Sequence, residues 1–371
     1  MTGVEIIAVQ DQRSWKEFLD LPYRLYRHHP YWVPPLRMAQ KELLNTKKHP
    51  FYAHADLQCF LALRDGQACG RVGAILDRAY NEFQKEEAGF FGFFESVDDV
   101  EVARPVMEAA HAWLRGRGAK VIRGPVSPST NYECGMLVEG FDSSPNVMMP
   151  YNSPSYPRMM EAIGLRKAKD LLAYWSTPGD VNGSKVERVA DRAMEMQGVA
   201  VRPINMKQFD AEVEKIWELY NATWARNWGF VPMTREEFVH EAAEMKQILK
   251  PDLVLVGEIK GRMVGFALAL PNINLALRHA GGRLFPFGLF KILYHQRLIR
   301  ELRVLALGVI EEYRTTGVAA GFYAALIRNA RRMGYGLSEM SWILEDNVLM
   351  NRSLEAMGAR KYKTYRIYEW N

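Results

Sequence analysis

The chain repeats itself, and that repetition constrains its fold more than any other feature. Asp65-Gly66-Gln67-Ala68-Cys69-Gly70-Arg71 is matched by Lys260-Gly261-Arg262-Met263-Val264-Gly265-Phe266, with Gly261 lying 195 residues after Gly66. Farther on, Glu161-Ala162-Ile163-Gly164-Leu165-Arg166-Lys167-Ala168-Lys169 is matched by Glu355-Ala356-Met357-Gly358-Ala359-Arg360-Lys361-Tyr362-Lys363. The offset here is 194, and it carries on to Tyr174 and Tyr368. Two separate matches at nearly one offset mark an internal duplication. A chain of 371 residues also exceeds one ordinary core and fits two domains.

Each half reads the same way element by element. Residues 60–63 and 253–256 are apolar strand candidates. Each enters a tight turn containing glycine and a return strand, 71–76 and 263–270, so each pair predicts a hairpin. An amphipathic helix follows in each half. Val102, Val106, Ala109, Ala110 and Trp113 share one face of the first, and Phe322, Tyr323, Leu326, Ile327 and Ala330 one face of the second. Gly118 and Gly334 stop these helices, and strands at 121–122 and 340–344 come next. The order predicts an α/β (α+β) architecture, a mixed sheet covered by helices, built twice. The polar stretch 176–184 reads as the linker, which sets the expected domains at 1–178 and 185–371.

Composition narrows the class. Hydrophobic residues at 48% and charged residues at 25% describe a soluble globular chain. The net charge of +5 is small for this length, and no concentrated Lys/Arg stripe suggests a nucleic-acid partner. The first twenty residues mix charges throughout and do not read as a signal peptide. Cys59, Cys69 and Cys134 have no metal-ligand spacing, so no metal is expected and a reduced, cytoplasmic setting is. The longest apolar run, near 284–294, contains Pro286 and Lys291 and cannot span a bilayer.

The chemistry points to the second half. There Val304-Leu305-Ala306-Leu307-Gly308-Val309-Ile310 ends a strand, and Arg314-Thr315-Thr316-Gly317-Val318-Ala319 opens a long helix. Such a loop aims several backbone N–H groups at one point, and the helix dipole adds positive potential, an arrangement suited to a pyrophosphate. Gly317 permits close backbone approach or a positive φ, Ala319 leaves room, and Arg314 supplies charge at the rim. The equivalent start in the first half, Glu95-Ser96-Val97-Asp98-Asp99-Val100-Glu101, carries carboxylates that cap a helix but repel a pyrophosphate. The first copy is therefore expected to have lost any such site and to act as scaffold or acceptor wall.

Arg314, Gly317 and Ala319 resemble the acyl-CoA-binding signature Arg/Gln-x-x-Gly-x-Gly/Ala of the GNAT (Gcn5-related N-acetyltransferase) superfamily. The resemblance covers the preceding hairpin and extends to 342–358, where Asn347 and Gly358 match the family's second motif. It implies two tandem GNAT folds and an acyl-CoA-dependent N-acyltransferase. The donor would be acetyl-CoA or a longer acyl-CoA, held by Leu307, Gly308, Val309, Arg314, Thr315, Thr316, Gly317, Val318, Ala319 and Asn347. The fourth strand of such a fold splays from its neighbour, and its N–H groups polarise the thioester carbonyl. A base must also deprotonate the acceptor ammonium, and Glu258, Glu311 and Glu345 stand near strand ends. Many family members protonate the departing thiolate with a tyrosine seven residues after the motif asparagine. That position is Leu354 here, which leaves Tyr362 or Tyr365 as substitutes.

Three stretches bear on the acceptor. Trp224 and Trp228, with Phe230, fall in the helix-loop region that shapes acceptor pockets in this family. The Pro/Gly loop 124–152, with Asn131 and Tyr132, is of a composition that often lines a site and equally suits the packing of a long loop; it resembles bacterial tandem-GNAT proteins, some of them linked to lipid N-acylation. The insert 272–300 holds Phe285, Phe287 and Phe290 among Arg283, Lys291, Arg297 and Arg300. That pattern suits an interfacial element, a lid over a long acyl chain, or a helical insert packed on the first domain. The expected acceptor is an amine, small or lipid-like, with peripheral contact to the inner membrane face. The competing readings are a Fem-type aminoacyl transferase and a non-enzymatic acyl-CoA sensor. The sequence sets no oligomeric state.

Overall fold

A computed structural model describes residues 3–177 and 183–371. The stretch expected as linker falls largely on 178–182, outside the described residues. The chain forms two compact units, and each borrows from the other half of the sequence. The first comprises residues 1–171, 276–293 and 363–371, and the second 172–275 and 294–362. Contiguous boundaries at 178 and 185 therefore do not describe the units. The end strand of each half is exchanged, and part of the insert belongs to the first unit.

In the first unit the strands are β1 (Glu5–Ala8), β2 (Ala55–Arg64), β3 (Gln67–Asp77), β4 (Ala88–Ser96), β5 (Val121–Gly124), β6 (Val126–Ser127), β7 (Glu133–Cys134), β8 (Met136–Glu139) and the start of β9 (Arg166–Ser176). In the second they are the end of β9, β10 (Val199–Pro203), β11 (Val254–Ile259), β12 (Arg262–Pro271), β13 (Glu301–Val309), β14 (Leu337–Leu344) and the start of β15 (Arg360–Trp370), whose remainder returns to the first. Both predicted hairpins form. Asp65-Gly66 and Lys260-Gly261 make two-residue turns with positive φ throughout (53° and 74°, 50° and 75°), and these match the twist of the flanking strands.

The hairpin β2–β3 continues antiparallel into β4, which runs parallel to β5. In the second unit β11–β12 continues antiparallel into β13, which runs parallel to β14. The helix Val100–Arg115 covers the first sheet with Val102, Val106, Met107, Ala110 and Leu114, and the helix Val318–Arg332 covers the second with Val318, Phe322, Leu326 and Ala330. Trp113, expected on the buried face of the first helix, is only partly buried, because the face turns toward Met107 and Leu114.

The exchange of end strands leaves a reciprocal signature. Residues 364–370 of β15 pair with β5 and β8, so the last strand of the chain completes the first unit. Residues 172–176 of β9 belong to the second unit, where β9 neighbours β14 and where Leu172 and Tyr174 pack with Leu354 and Ala359. Tyr174 Oη donates to Glu355 at 3.3 Å, and the matched Tyr368 donates to the matched Glu161 at 3.4 Å. Each duplicated tyrosine thus bonds the glutamate of the opposite repeat.

Candidate active site

The parallel ladder of the second unit stops early. Pairing between β13 and β14 runs from Glu301↔Leu337 to Val304↔Met340, although β13 continues to Val309 and β14 to Leu344. A bulge in β13 at this point, with Leu268 facing Ala306 and Ala269 facing Val304, turns the strand away from its neighbour. Beyond it, among the described residues, β13 pairs with β12 alone, and residues 304–307 are half-exposed although they lie in an inner strand. One edge of an inner strand is left open to an extended ligand.

At the end of that gap the loop after β13 delivers a helix N-terminus. Gly317, with φ of 82°, is the N-cap of the helix Val318–Arg332, and its carbonyl accepts the first helical bond from Gly321 N–H at 2.9 Å. The N–H groups of Val318 to Ala320 therefore point out of the helix mouth, as the first turn of any helix requires. The mouth is solvent-accessible, with Arg314 and Thr315 exposed and Thr316, Gly317 and Ala319 half-exposed. Arg314 Nε donates to Val309 O at 3.3 Å, and Thr316 Oγ1 donates to Tyr313 O at 2.7 Å, so both side chains brace the loop against its strand. Gly317→Asp would strain a left-handed position and place a negative charge at the mouth. If the mouth holds a CoA pyrophosphate, as the resemblance implies, CoA affinity measured by calorimetry should fall at least tenfold, about 1.4 kcal/mol. Unchanged affinity in a folded variant would remove this loop from the site.

Trp224 seats on the strand itself. It ends the helix Phe209–Trp224, stacks on Tyr220 at 5.0 Å and lies 5.7 Å from Phe266. A Cβ on Gly308 would meet the indole at 2.4 Å, so glycine is what lets the ring lie against the backbone of β13. Trp228 is half-buried just beyond this helix. Asn131 and Tyr132 belong to the first unit, where Tyr132 packs in an aromatic cluster with His49 and Phe51 at 5.8 and 6.0 Å.

The proposed acids and bases separate clearly. Glu258 is taken up by Arg202, which bonds it at 2.7 Å and Glu212 at 2.7 Å. Glu311 is exposed and paired with Arg226 at 2.7 Å. Glu345 follows the end of β14. Asn347 is exposed and caps the helix Val348–Ala356 by accepting from Met350 N–H at 3.2 Å, and Leu354 is core. Tyr365 is buried in the first unit, whereas Tyr362 lies in the second, 5.4 Å from the Trp175 ring.

Tyr362 joins a polar cluster that sequence reasoning did not single out. Its hydroxyl donates to Glu339 on β14, and Ser341 Oγ donates to the same carboxylate at 2.5 Å. Arg303 on β13 bonds Ser341 Oγ at 2.9 Å, approaches Glu339 at 3.8 Å and lies over the Trp342 ring at 4.9 Å. Arg303 and Glu339 are both fully buried. The available signal was a charge in the middle of each of two apolar strands. A second group of this kind is Glu241 in the helix Arg235–Met245, whose carboxyl is pushed up to about 8 by burial and by Glu244 and Glu237.

The first unit has the same gap, filled by its own chain. Pairing between β4 and β5 ends at Phe90↔Arg123, and residues 124–127 then enter the opening. Val126 O stands 1.6 Å from where a Cβ on Gly92 would be, and Phe93 N–H donates to Ser127 Oγ at 3.1 Å. Residues 88–94 of β4 are buried throughout, in contrast to residues 304–307 of β13. At the matching helix start, Asp99 accepts from Glu101 N–H at 2.9 Å and pairs with Arg64 at 2.7 Å, and half-buried Glu95 accepts from Tyr26 and Tyr156 at 2.8 Å each. Carboxylates and a plug thus occupy the place that is open in the second unit.

A strand that parts from its parallel neighbour beside a glycine-started helix is the arrangement of GNAT-type acyltransferases, and here the whole fold is built twice. The chain has the GNAT fold in tandem, and it belongs to the family of the two full-length relatives that follow. It is 37% identical to Protein YghO of Escherichia coli, across 97% of this chain and 93% of that protein. It is 35% identical to the bacterial ceramide synthase of Caulobacter vibrioides, across 99% of this chain and 97% of that protein. Among solved structures, the tandem GNAT protein from the clavulanic acid biosynthesis pathway matches with a TM-score of 0.57 at 12% identity, over 99% of this chain and 98% of its own. The GCN5-related glucosamine N-acetyltransferase region of a fungal multi-domain β-N-acetylglucosaminidase matches with a TM-score of 0.60 at 13% identity, over 100% of this chain and 38% of that one. No family model matches.

Proposed function

We propose that the protein transfers an acyl group from acyl-CoA to the nitrogen of an amphiphilic amine. The observation that carries this reading is the gap between β13 and β14, opening beside the Gly317 helix mouth. An extended pantetheine chain can take up the backbone groups that β14 leaves unmatched on β13, while the pyrophosphate meets the helix N–H donors. The backbone around Leu307, Gly308 and Val309 would polarise the thioester carbonyl and steady the oxyanion. The acceptor ammonium first loses a proton to solvent; its neutral nitrogen then attacks the carbonyl carbon, the C–N bond forms and the C–S bond breaks. Tyr362 gives its proton to the departing thiolate and recovers one from the nitrogen, which leaves a neutral amide and a free thiol. Glu339, held by Arg303 and Ser341, fixes the position of the phenol oxygen, and the O–H turns from that carboxylate to the thiolate in the step.

A lipid-like acceptor is supported by the full-length similarity to a protein named a ceramide synthase, since a ceramide is the amide of a long-chain amino alcohol and a fatty acid. The aromatic wall of Trp224 and Trp228 suits an apolar acceptor chain. Incubation of the purified protein with palmitoyl-CoA and a long-chain amino alcohol should release CoA thiol and yield the matching amide, detected by mass spectrometry. The rate should exceed that with acetyl-CoA and a short polar amine. Thiol release that is indifferent to the amine would replace transfer by hydrolysis. Equal use of both donors would leave a small-amine acetyltransferase.

A further inference from the structure

We propose that the segment 283–294 docks the protein on an anionic lipid bilayer, with its aromatic side chains in the headgroup–acyl boundary. The helix Gly288–His295 is mounted with its apolar side outward. It buries Gly288 and Ile292 and exposes Leu289, Phe290, Leu293 and Tyr294. With the turn before it, the exposed set includes Phe285, Phe287 and Phe290 at 81%, 67% and 68%. Three exposed phenylalanines within six residues oppose the usual burial of aromatic surface and mark an interaction site.

The charge around them selects the partner. From residue 283 to residue 300 the chain carries Arg283, Lys291, Arg297 and Arg300, all exposed, and no Asp or Glu. A protein partner's apolar patch would not require this one-sided rim, whereas an anionic membrane surface rewards each cation near it. A short helix with Phe and Leu outward and cations beside them suits the plane of the interface. Among the described residues no helix is long and apolar enough to cross a membrane, so the contact is peripheral.

The tip is held in place before it meets lipid. Gly282 O accepts from Arg37 N–H at 3.0 Å, and a Cβ on Gly282 would strike the Tyr23 ring at 2.6 Å and Pro35 O at 2.9 Å. A turn closes above this foot, with Leu289 N–H on Leu284 O at 2.9 Å and the backbone of Arg283 packed directly against Gly288. The exposed rings therefore project from an anchored base, and docking spends little free energy on ordering the segment.

This inference draws its purpose from the lipid-like acceptor proposed above, but its test uses neither donor nor acceptor. In flotation assays the wild-type protein should rise with vesicles of equimolar phosphatidylglycerol and phosphatidylcholine, and bind pure phosphatidylcholine less. Phe287→Glu with Phe290→Glu should reduce binding to the anionic vesicles roughly tenfold or more. Arg283→Gln and Lys291→Gln should each reduce it by up to about fivefold. Because the altered side chains are exposed, thermal melting and CoA binding should not change. Absence of vesicle binding by the wild type, or binding that the double glutamate variant retains, would overturn the proposal. So would a concentration-dependent dimer that the same variant dissolves, since the patch would then be covered by a second copy. A variant that loses vesicle binding but still acylates a soluble amine keeps the acyl-transfer reading intact, whereas a wild type that binds vesicles without transferring acyl groups defeats only that reading.

Discussion

Arg303→Ala should lower stability by about 3–5 kcal/mol, the range observed when one partner of a buried ion pair is removed. The guanidinium and the Glu339 carboxylate are fully buried and 3.8 Å apart on the two strands of the second unit that later diverge. Without the arginine the carboxylate keeps only the hydroxyls of Ser341 and Tyr362, and neither carries a compensating charge. Arg303→Met combined with Glu339→Gln removes both charges at similar volume and should recover much of the loss. Denaturant titration of wild type, single and double variants reads this directly. A single-variant loss below about 1 kcal/mol would mean the pair contributes no more than an exposed one.

The second large effect concerns turnover. Tyr362→Phe should reduce kcat about a hundredfold or more, the low end of what a positioned proton donor contributes. Affinity for CoA should stay near that of the wild type, because the helix mouth at Gly317 is untouched. The stability cost should be about 1 kcal/mol, since one hydrogen bond to Glu339 is lost. A variant with normal kcat and raised KM would make the hydroxyl a binding group. A variant normal in both would leave proton delivery to solvent, which a thiol with a pKa of about 8.5 permits.

The duplication, the two hairpins and the glycine-started helix were legible in the sequence because each is a local pattern. Hairpin turns depend on residues in contact along the chain, and the matched pairs Asp65-Gly66 and Lys260-Gly261 fold alike. The exchange of β9 and β15 was not legible. A repeat offset states that two strands are alike, and either strand can then complete either sheet with nearly the same side-chain pattern. The tyrosine–glutamate pairs do not reveal the choice, because Glu161 and Glu355 are identical residues. The composition of the Pro/Gly loop after β5 suits a site lining and a packed loop equally, and its first residues fill a gap. Composition reports that a loop approaches something closely, and here that something is the chain's own strand. The helix that follows the insert's turn was recognisable as apolar and cationic, but which of its faces is buried depends on the base at Gly282 and Ile292, which is tertiary information.

The exchanged strands also set an order of assembly. Residues 364–370 pair with β5 and β8, so the first unit lacks a strand until that segment has left the ribosome. During synthesis of the second half, the open side of β5 is an unsatisfied sheet edge, the kind of surface that recruits strands from other chains. A protein cut in the linker would carry that exposed edge permanently. Separating the two halves would leave each unit without the strand that the other half of the sequence supplies in this fold.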